Sequence, residues 1–214
     1  MFVDSKKIIN VFQMLEDNDI EYVLLRDVDH EIPYKFSQNK DIDLLININS
    51  RDKLHNALKN NGWKKIKHPL DGHNQIIYLY ALTKFEFYTK DNINLDICFE
   101  LCCKSPNDGE WLPIDQIINK SVWENRKKDE ESIYYSMSTE DELVHLFTRI
   151  IFDKKIIPKN YVKRIKELYQ ICDKDNFCEK CNVVFFKFTQ RIFQWIDSGC
   201  VSDIVREYYS FCDY

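Results

Sequence analysis

Two aspartates separated by one residue begin an apolar run, Lys40-Asp-Ile-Asp-Leu-Leu-Ile46. In a β-strand the side chains of residues i and i+2 project from the same face, so Asp41 and Asp43 would share one face while Ile42 and Leu44 enter the core. Two carboxylates this close repel each other and lose solvation. A bound dication would offset both costs. Mg²⁺ suits such a site because it accepts carboxylate oxygens while it keeps water and substrate phosphates.

A second run, Ile93-Asn-Leu-Asp-Ile-Cys-Phe99, carries a third acid with the same alternation. Asn94, Asp96 and Cys98 would face one way, and the apolar residues between them the other way. If the two strands are neighbours, three carboxylates converge, which is enough for a site that holds two metal ions. Either run alone is also typical of a solvated strand edge, since short motifs give many false matches. The matching alternation on two strands favours the functional interpretation.

The elements that position these acids follow from local pattern. Apolar periodicity predicts a helix over 5–18, and the short apolar segment 21–26 predicts a buried strand. A polar connection over 27–39 leads to the strand 41–47. A helix from the capping residue Ser50 to Asn61 follows, with Gly62 as its stop signal. Three further strand-like segments are predicted at 74–81, 84–88 and 93–99, with turns at 71–72 and 91–92.

The rest of the sequence is mostly helical. A segment around Trp111 to Ile118 links the two parts, and Ser138-Thr-Glu-Asp141 has the form of a capping box before an apolar-periodic helix. Pro158 predicts the start of another helix, and further helices are predicted at 179–197 and 201–211. We therefore expect an α/β (α+β) protein with a mixed sheet and flanking helices over 1–115, followed by a helical bundle over 116–214.

Composition limits the class of protein. The chain has 214 residues, 44% hydrophobic and 14% aromatic, which supports an ordered core rather than disorder. The start of the sequence has no apolar stretch of the secretory type, and no segment approaches the ~20 apolar residues of a membrane span. We expect a cytoplasmic protein without a membrane partner. The net charge of −5 argues against an extended nucleic-acid-binding surface.

Eight cysteines are more consistent with reduced thiols than with disulfides, since no secretion signal is recognised. Cys178-x-x-Cys181, with Cys172 before it, resembles half of a zinc site. A structural zinc needs four ligands, and no second pair at matching spacing follows. Buried cysteines on helices are the simpler interpretation.

The segments Tyr22-Val-Leu-Leu-Arg26, Lys40–Ile46 and Leu95-Asp-Ile97 together resemble the nucleotidyltransferase fold shared with DNA polymerase beta. The similarity is greatest to a bacterial branch of small nucleotidyltransferases. Their pattern is an apolar strand ending in Leu-Arg, a short loop, a strand with Asp-x-Asp and a later Asp. The segment Asp141-Glu-Leu-Val-His-Leu146 resembles the helical second half of that branch. The resemblance covers most of the chain, but only the two Asp-bearing strands are specific.

The resemblance implies a role for each acid. Asp41 and Asp43 match the metal-binding pair, and Asp96 matches the third carboxylate, which ligates the catalytic metal and helps to activate the acceptor hydroxyl. The implied cofactor is Mg²⁺ or Mn²⁺. The implied reaction transfers a nucleoside monophosphate from a nucleoside triphosphate to a hydroxyl acceptor and releases pyrophosphate. Catalysis of this kind is mainly positioning and charge neutralisation.

The chain departs from the family pattern ahead of the first two aspartates. The wider family has a Gly-Ser or Gly-Gly pair there that holds the triphosphate, whereas this chain has no glycine before Gly62. Arg26 lies at the end of the strand where that pair is expected, and a guanidinium can bind phosphate through two parallel hydrogen bonds. Ser37 and Lys40 could assist. Alternatively, Arg26 pairs with an acid of the following loop and merely holds that loop.

Two other functions remain open. The missing Gly-Ser pair favours an inactive relative that kept the fold as a binding module, while the three aspartates oppose it. A metal-dependent nuclease could use the same carboxylates, but the acidic net charge counts against it. His145, between apolar neighbours, could approach the site, although such a residue is more often a satisfied helical histidine. The aromatic residues at 78–88 could stack a base, but their strand spacing is more typical of core and sheet surface.

Overall fold

The structure is a computed structural model that describes residues 1–69, 77–80, 83–107 and 109–212. These residues form eight strands: β1 Tyr22–Leu24, β2 Asp41–Ile46, β3 Lys64–Ile66, β4 Ile77–Tyr78, β5 Glu86–Lys90, β6 Ile93–Cys98, β7 Cys102–Lys104 and β8 Glu110–Pro113. The main sheet has the order β1-β2-β6-β5-β3, and a smaller sheet has the order β4-β8-β7. Strands β2 and β6 are parallel and the other pairs of the main sheet are antiparallel. The predicted mixed sheet is confirmed.

Eight α-helices accompany the sheets in the described part of the chain: α1 Ser5–Asp17, α2 Arg51–Asn60, α3 Gln116–Asn125, α4 Thr139–Thr148, α5 Lys159–Ile171, α6 Lys174–Phe185, α7 Thr189–Asp197 and α8 Ile204–Ser210. Six of them follow residue 115, as the predicted α/β part with a helical second half requires. A π-helical segment, Arg149–Lys154, continues directly from α4. No helix of the described residues is both long and apolar enough to cross a membrane.

Most of the main sheet is covered on both faces, although its edge strand β3 is exposed. On one face the alternating apolar residues of β2 and β6 share a buried cluster with α1 and α2, which includes Leu44, Leu95, Phe12 and Leu54. On the other face a second cluster joins sheet residues to the helical half. Its members from the first part include Val23, Leu25, Leu45 and Cys98, and its members from the helical half include Leu143, Phe147, Ile165 and Trp195.

Several predicted helix ends have the expected chemistry. Ser138 Oγ accepts a hydrogen bond of 3.2 Å from the Asp141 amide at the start of α4, and α5 begins directly after Pro158. Gly62 has φ +75°, a conformation that favours glycine, just after α2. Ser50 stands at the N-cap of α2, but its hydroxyl accepts instead from the Glu21 amide at 3.1 Å and so links α2 to the sheet.

Other elements differ from the predictions. The segment predicted as one helix over 179–197 belongs to two helices, because Phe186 has φ +50° and interrupts the helical conformation between α6 and α7. Strands β3, β7 and β8 were not predicted, and the predicted link around Trp111 contains β8 and the start of α3. Of the strand predicted at 74–81, only Ile77–Tyr78 lies in a described strand. The turn predicted at 71–72 lies outside the described residues.

Candidate active site

The three predicted acids lie on two neighbouring strands. Asp43 and Asp96 occupy the same register position of the parallel pair β2 and β6, and Asp41 lies opposite Asn94. Burial alternates along both strands, with the acids half-buried and the residues between them buried. The side chains of Asp41, Asp43 and Asp96 therefore project from one face, and all three line one cleft. Arg149 and Tyr161, from the helical half, line the same cleft.

Each acid is bonded to a protein donor. Asn94 Nδ2 donates to Asp41 Oδ1 at 3.1 Å, and His68 Nε2 lies 3.2 Å from Asp96 Oδ1. Arg26 forms a close ion pair with Asp43. The site thus balances part of its own negative charge.

Arg26 is placed by the way the chain leaves the sheet. β1 ends at Leu24, and the next amide, that of Leu25, donates to the Asp43 carbonyl at 3.0 Å. This bond holds the following guanidinium beside the Asp43 side chain, and Arg26 Nη1 also donates to the Tyr161 hydroxyl at 3.3 Å. Arg26 therefore joins the acidic strand pair to helix α5.

Two pKa shifts follow from this geometry. Burial raises the pKa of Asp41, and the carboxylates of Asp43 and Asp96 raise it further, while the hydrogen bond from Asn94 lowers it. Burial alone would lower the pKa of Arg26, but Asp43 and Tyr161 outweigh it and raise that pKa above its ordinary value. The guanidinium stays charged, and the acid pair favours any additional cation.

The space in front of the acids has two compartments. The outer cleft, of about 420 Å³, is bounded by the loop after β1, the three acids and helix α5; its polar lining includes Lys40 and Asn160. The inner chamber, of about 240 Å³, lies between the main sheet, the smaller sheet and α4. Its lining includes Leu25, Phe85 and Trp111. Both compartments share one wall, made by Arg26, Asp43, His68, Asp96, Arg149 and Lys154.

The π-helical segment after α4 supplies two cations of that wall. Arg149 forms an ion pair with Asp153, whose Oδ1 accepts from the Lys104 amide at 2.8 Å and so holds the segment against β7. π-Helical turns are rare and occur frequently at functional sites. The segment ends at Lys155 with φ +53°. Arg149 and Lys154 thereby line the same cleft as the acids.

Of the other two residues predicted to bind nucleotide, one lies at the site and one does not. Lys40 lines the outer cleft, where its Nζ bonds to Glu31. Ser37 forms a backbone bridge with Phe2 and is not among the described residues that line either compartment. The structure therefore brings Arg26 and Lys40 to the acids, but not Ser37.

The alternative partners considered for Arg26 have other contacts. Asp27 accepts from the Glu31 amide at 2.8 Å, Asp29 from Asn160 at 2.9 Å, and Glu31 from Lys40. The only described ion pair of Arg26 is with Asp43. Its position is consequently set by the site itself and not by the loop acids.

Several lining residues were not expected from the sequence. They are His68, Phe85, Trp111, Arg149, Lys154 and Tyr161. Lone residues of these types carry no motif, and those after residue 115 reach the site only through the packing of the helical half on the sheet. Only Phe85 had a signal in the sequence. It lies two positions before Phe87, and Phe87 lies opposite Asp96 on the neighbouring strand.

The acids can be compared with what a divalent metal needs. Among the described residues, no group of three or more His, Cys, Asp or Glu side chains is arranged to hold a metal ion. Mg²⁺, however, usually takes one or two protein carboxylates and completes its shell with water and substrate phosphates. Asp43 and Asp96, at one register position, are such a pair of hard oxygen donors. The chemistry of the donor set fits a magnesium or manganese ion that arrives with a phosphate ligand.

The mixed sheet with its helical second half is similar in fold to a solved structure over nearly the whole chain. The solution structure of the antibiotic-resistance factor ANT(2'')-Ia matches 92% of this chain and 97% of its own length, with a TM-score of 0.50 and 8% identity. The lincosamide antibiotic adenylyltransferase LnuA, solved with lincomycin bound, matches 80% of this chain and 100% of its own, with a TM-score of 0.48 and 16% identity. No protein-family model and no curated protein matches the chain.

Proposed function

We propose that this protein is a metal-dependent nucleotidyltransferase that transfers a nucleoside monophosphate from a nucleoside triphosphate to a hydroxyl of a small molecule. One observation carries the proposal. Asp41, Asp43 and Asp96 line a single cleft together with the cations Arg26, Lys40, Arg149 and Lys154. Acids alone would repel a triphosphate and cations alone would not hold a metal. A cleft that contains both acids and cations suits a metal–triphosphate complex.

The carboxylates are assigned to metal binding. Asp43 and Asp96 supply oxygen donors from neighbouring strands, and Asp41 adds negative charge beside them. When bound, Mg²⁺ or Mn²⁺ would neutralise phosphate charge and polarise the reacting oxygens. This assignment requires Asp43 to exchange its ion pair with Arg26 for the metal.

Arg26 is assigned to the triphosphate. Once released from Asp43, its guanidinium can form two parallel hydrogen bonds to phosphate oxygens, in place of the Gly-Ser pair that the chain lacks. Lys40, Arg149 and Lys154 line the same cleft and can balance the remaining charge. The outer cleft is thus the proposed site of the nucleoside triphosphate.

Asp96 is assigned to the acceptor. It faces both compartments, and His68, 3.2 Å away, orients its carboxylate. In the proposed step the acceptor oxygen forms a bond to the α-phosphorus, and the bond from that phosphorus to the pyrophosphate oxygen breaks. The hydroxyl proton passes to Asp96. A nucleoside triphosphate donor and eight free cysteines suit the reducing cytoplasm as the place of action.

The test is calorimetric titration with an ATP analogue whose α,β-bridge is methylene, with and without Mg²⁺. We expect metal-dependent binding that is lost in Asp41→Asn plus Asp43→Asn, because neutral amides cannot compensate a dication. A matched control, Asp17→Asn plus Asp129→Asn, removes two carboxylates from exposed positions and should bind as the wild type does. Equal affinity without metal, or in the cleft variant, would contradict the proposal.

Turnover separates an enzyme from a binding module. Pyrophosphate release from the four nucleoside triphosphates is measured with a panel of small hydroxyl compounds, and Asp96→Asn serves as the matched inactive variant. We expect release that depends on the added acceptor and on Asp96. Metal-dependent binding with no release for any acceptor in the panel would instead favour the inactive relative.

A further inference from the structure

The inner chamber contains buried polar groups that the folded chain leaves without partners. Six buried side-chain nitrogen and oxygen atoms of the described residues have no hydrogen-bond partner, and four of them belong to residues of this chamber. The four are both ring nitrogens of His145, the Nε of Arg26 and the Nε of Arg149. Buried polar groups are normally paired, so such a concentration needs an explanation.

His145 is the most informative of the three residues. It lies on α4, is only 5% exposed, and lines the inner chamber but not the outer cleft. Burial, together with the positive charges of Arg26 and Arg149, lowers its pKa well below the ordinary value. The imidazole is therefore neutral, with one nitrogen that donates and one that accepts. It is not the satisfied helical histidine that its sequence context favours.

The rest of the chamber defines what these nitrogens would meet. Phe85 and Trp111 stand edge to face with ring centroids 4.9 Å apart and form an aromatic wall, with Leu25 and Leu101 beside it. An apolar, ring-sized group fits this surface. Arg26 and Arg149 belong to the wall that the chamber shares with the outer cleft, as does Asp96, whereas His145 lines the chamber alone.

The charges of the chamber disfavour a polycation. Its described lining contains four cations, Arg26, Lys104, Arg149 and Lys154, and three acids, Asp43, Asp96 and Asp153. Two of the acids are already paired, Asp43 with Arg26 and Asp153 with Arg149. A ligand with several ammonium groups would find few free carboxylates, whereas a carboxylate or carbonyl oxygen would find unpaired N–H donors.

We propose that the inner chamber binds the acceptor, and that this acceptor is a hydroxylated ring compound bearing an anionic or carbonyl oxygen. The ring packs on Phe85 and Trp111, and the oxygen accepts from Arg26 or Arg149. His145 hydrogen-bonds the compound and selects it. This inference rests on the proposed function, because it takes the outer cleft as the nucleotide site and Asp96 as the acid between the two.

The test uses two probes with the same phenol ring and opposite charge, 4-hydroxyphenylacetate and tyramine, without nucleotide. The ring nitrogens of ¹⁵N-labelled histidine are followed by NMR, and the His145 signals are identified by their loss in His145→Leu. We expect 4-hydroxyphenylacetate to shift the His145 nitrogens and to bind at least tenfold more tightly than tyramine. Tighter binding of tyramine, or no shift at His145 with either probe, would overturn the proposal.

Variants separate ligand contact from a structural role. His145→Leu should weaken 4-hydroxyphenylacetate at least tenfold and should not lower the melting temperature, because its nitrogens have no partner in the folded chain. The control His30→Leu, at an exposed position, should leave this affinity unchanged. A lower melting temperature with unchanged affinity would assign His145 to packing and overturn the proposal.

A further titration keeps the two proposals distinguishable. The Mg²⁺ complex of the methylene ATP analogue is added to the same labelled protein. If the analogue binds and leaves the NMR signals of the His145 nitrogens unshifted, the chamber is free for the acceptor, as we expect. If it shifts them and displaces 4-hydroxyphenylacetate, the chamber holds the nucleobase and this inference fails while the proposed function stands. If it does not bind at all, the proposed function fails, independently of the result with the phenol probes.

Discussion

Arg26 has two incompatible uses at the candidate site. In the structure it neutralises Asp43, and in the proposed complex it would instead bind the triphosphate. Its other contact in the structure, with the Tyr161 hydroxyl at 3.3 Å, can hold the guanidinium at the wall in either case. Without ligands, Arg26 would neutralise Asp43 and so reduce the repulsion among the acids of the folded protein. When metal and phosphate bind together, the guanidinium would leave Asp43.

This dual use predicts opposite effects on metal and nucleotide. Arg26→Met should bind Mn²⁺ alone more tightly than the wild type, since Asp43 loses its competing cation. The same variant should bind the Mg²⁺–ATP analogue more weakly, by about 1.5–3 kcal/mol, the range for a hydrogen bond to a charged group. Arg26→Lys should lie between, because an ammonium keeps the charge but lacks the planar fork. Calorimetry measures both affinities.

The control for these titrations is Arg126→Met, which removes a guanidinium that pairs with Glu21 and lines neither compartment among the described residues. It should leave both affinities unchanged. If Arg26→Met also leaves both unchanged, Arg26 is a structural ion pair and the triphosphate is held by other groups.

The acids of the site could be predicted from the sequence, and most of their partners could not. Asp41, Asp43 and Asp96 are recognisable because strand alternation is local and each lies between apolar residues. Arg149 and Tyr161 are more than a hundred positions from Asp43 in the chain, and only tertiary packing brings them near it. Local pattern contains no information on that packing.

At the level of elements, a buried carboxylate connects α2, β3 and β5. The side chain of Glu86 is 3% exposed and accepts four hydrogen bonds, from Arg51 at 2.9 Å, Lys65 at 3.0 Å, His55 at 2.7 Å and Tyr88 at 2.8 Å. Burial alone would raise the pKa of Glu86, but these four donors outweigh it and lower the pKa to about 2. The ionised carboxylate is thus part of what attaches β3 to the sheet.

We expect Glu86→Gln to lower the free energy of unfolding by about 2–3 kcal/mol at pH 5.5, since hydrogen bonds to a charged group are lost. Because the folded-state pKa is below the ordinary 4.5, this stabilisation is complete above pH 4.5 and is lost as the pH falls towards 2. The difference between wild type and variant should therefore be smaller at pH 3.5. Urea unfolding at both values measures it.

Glu124→Gln is the matched control, because Glu124 pairs with Lys120 on an exposed face of α3 and both side chains are more than half exposed. It should change the unfolding free energy by less than about 0.5 kcal/mol, as for an exposed pair one helical turn apart. A difference for Glu86→Gln that stays constant between the two pH values would show that its ionisation is not coupled to folding.

The elements that the sequence failed to predict have a common physical reason. β3, Lys64–Ile66, is exposed at all three residues and has no alternation, so only its pairing with β5 makes it a strand. β8 contains Pro113, which usually argues against a strand. The π-helical segment follows α4 without any change in apolar composition. In each case tertiary partners, not local preference, decide the conformation.

On the scale of the whole molecule, the proposed boundary at residue 115 separates two kinds of architecture but not two cores. Val23, Leu25 and Leu45 of the first part and Phe147 of the second belong to one buried cluster. The Leu24 amide also donates to the Tyr135 carbonyl at 2.8 Å across the boundary. The cleft is lined by residues of both parts, with Asp41, Asp43 and Asp96 from the first and Arg149 from the second.

The shared core predicts that the chain unfolds as one cooperative unit. Leu44 tests this, because it is fully buried on the opposite face of the sheet, in the cluster with α1 and α2. Leu44→Ala should lower the free energy of unfolding by about 2–5 kcal/mol, the cost of a large-to-small change in a core. If unfolding is cooperative, the loss must appear in the helical half as well as in the sheet.

Labelling with 5-fluorotryptophan gives ¹⁹F NMR signals in both parts, from Trp63 and Trp111 in the first and from Trp123 and Trp195 in the second. In a urea titration all four native signals should disappear together, and Leu44→Ala should move all four midpoints to lower urea by the same amount. Val201→Ala, at a residue 82% exposed, should move none of them. If Leu44→Ala shifts the Trp63 midpoint and leaves that of Trp195 in place, the helical half folds independently. The cleft would then be an interface between two separate domains rather than a site fixed within one core.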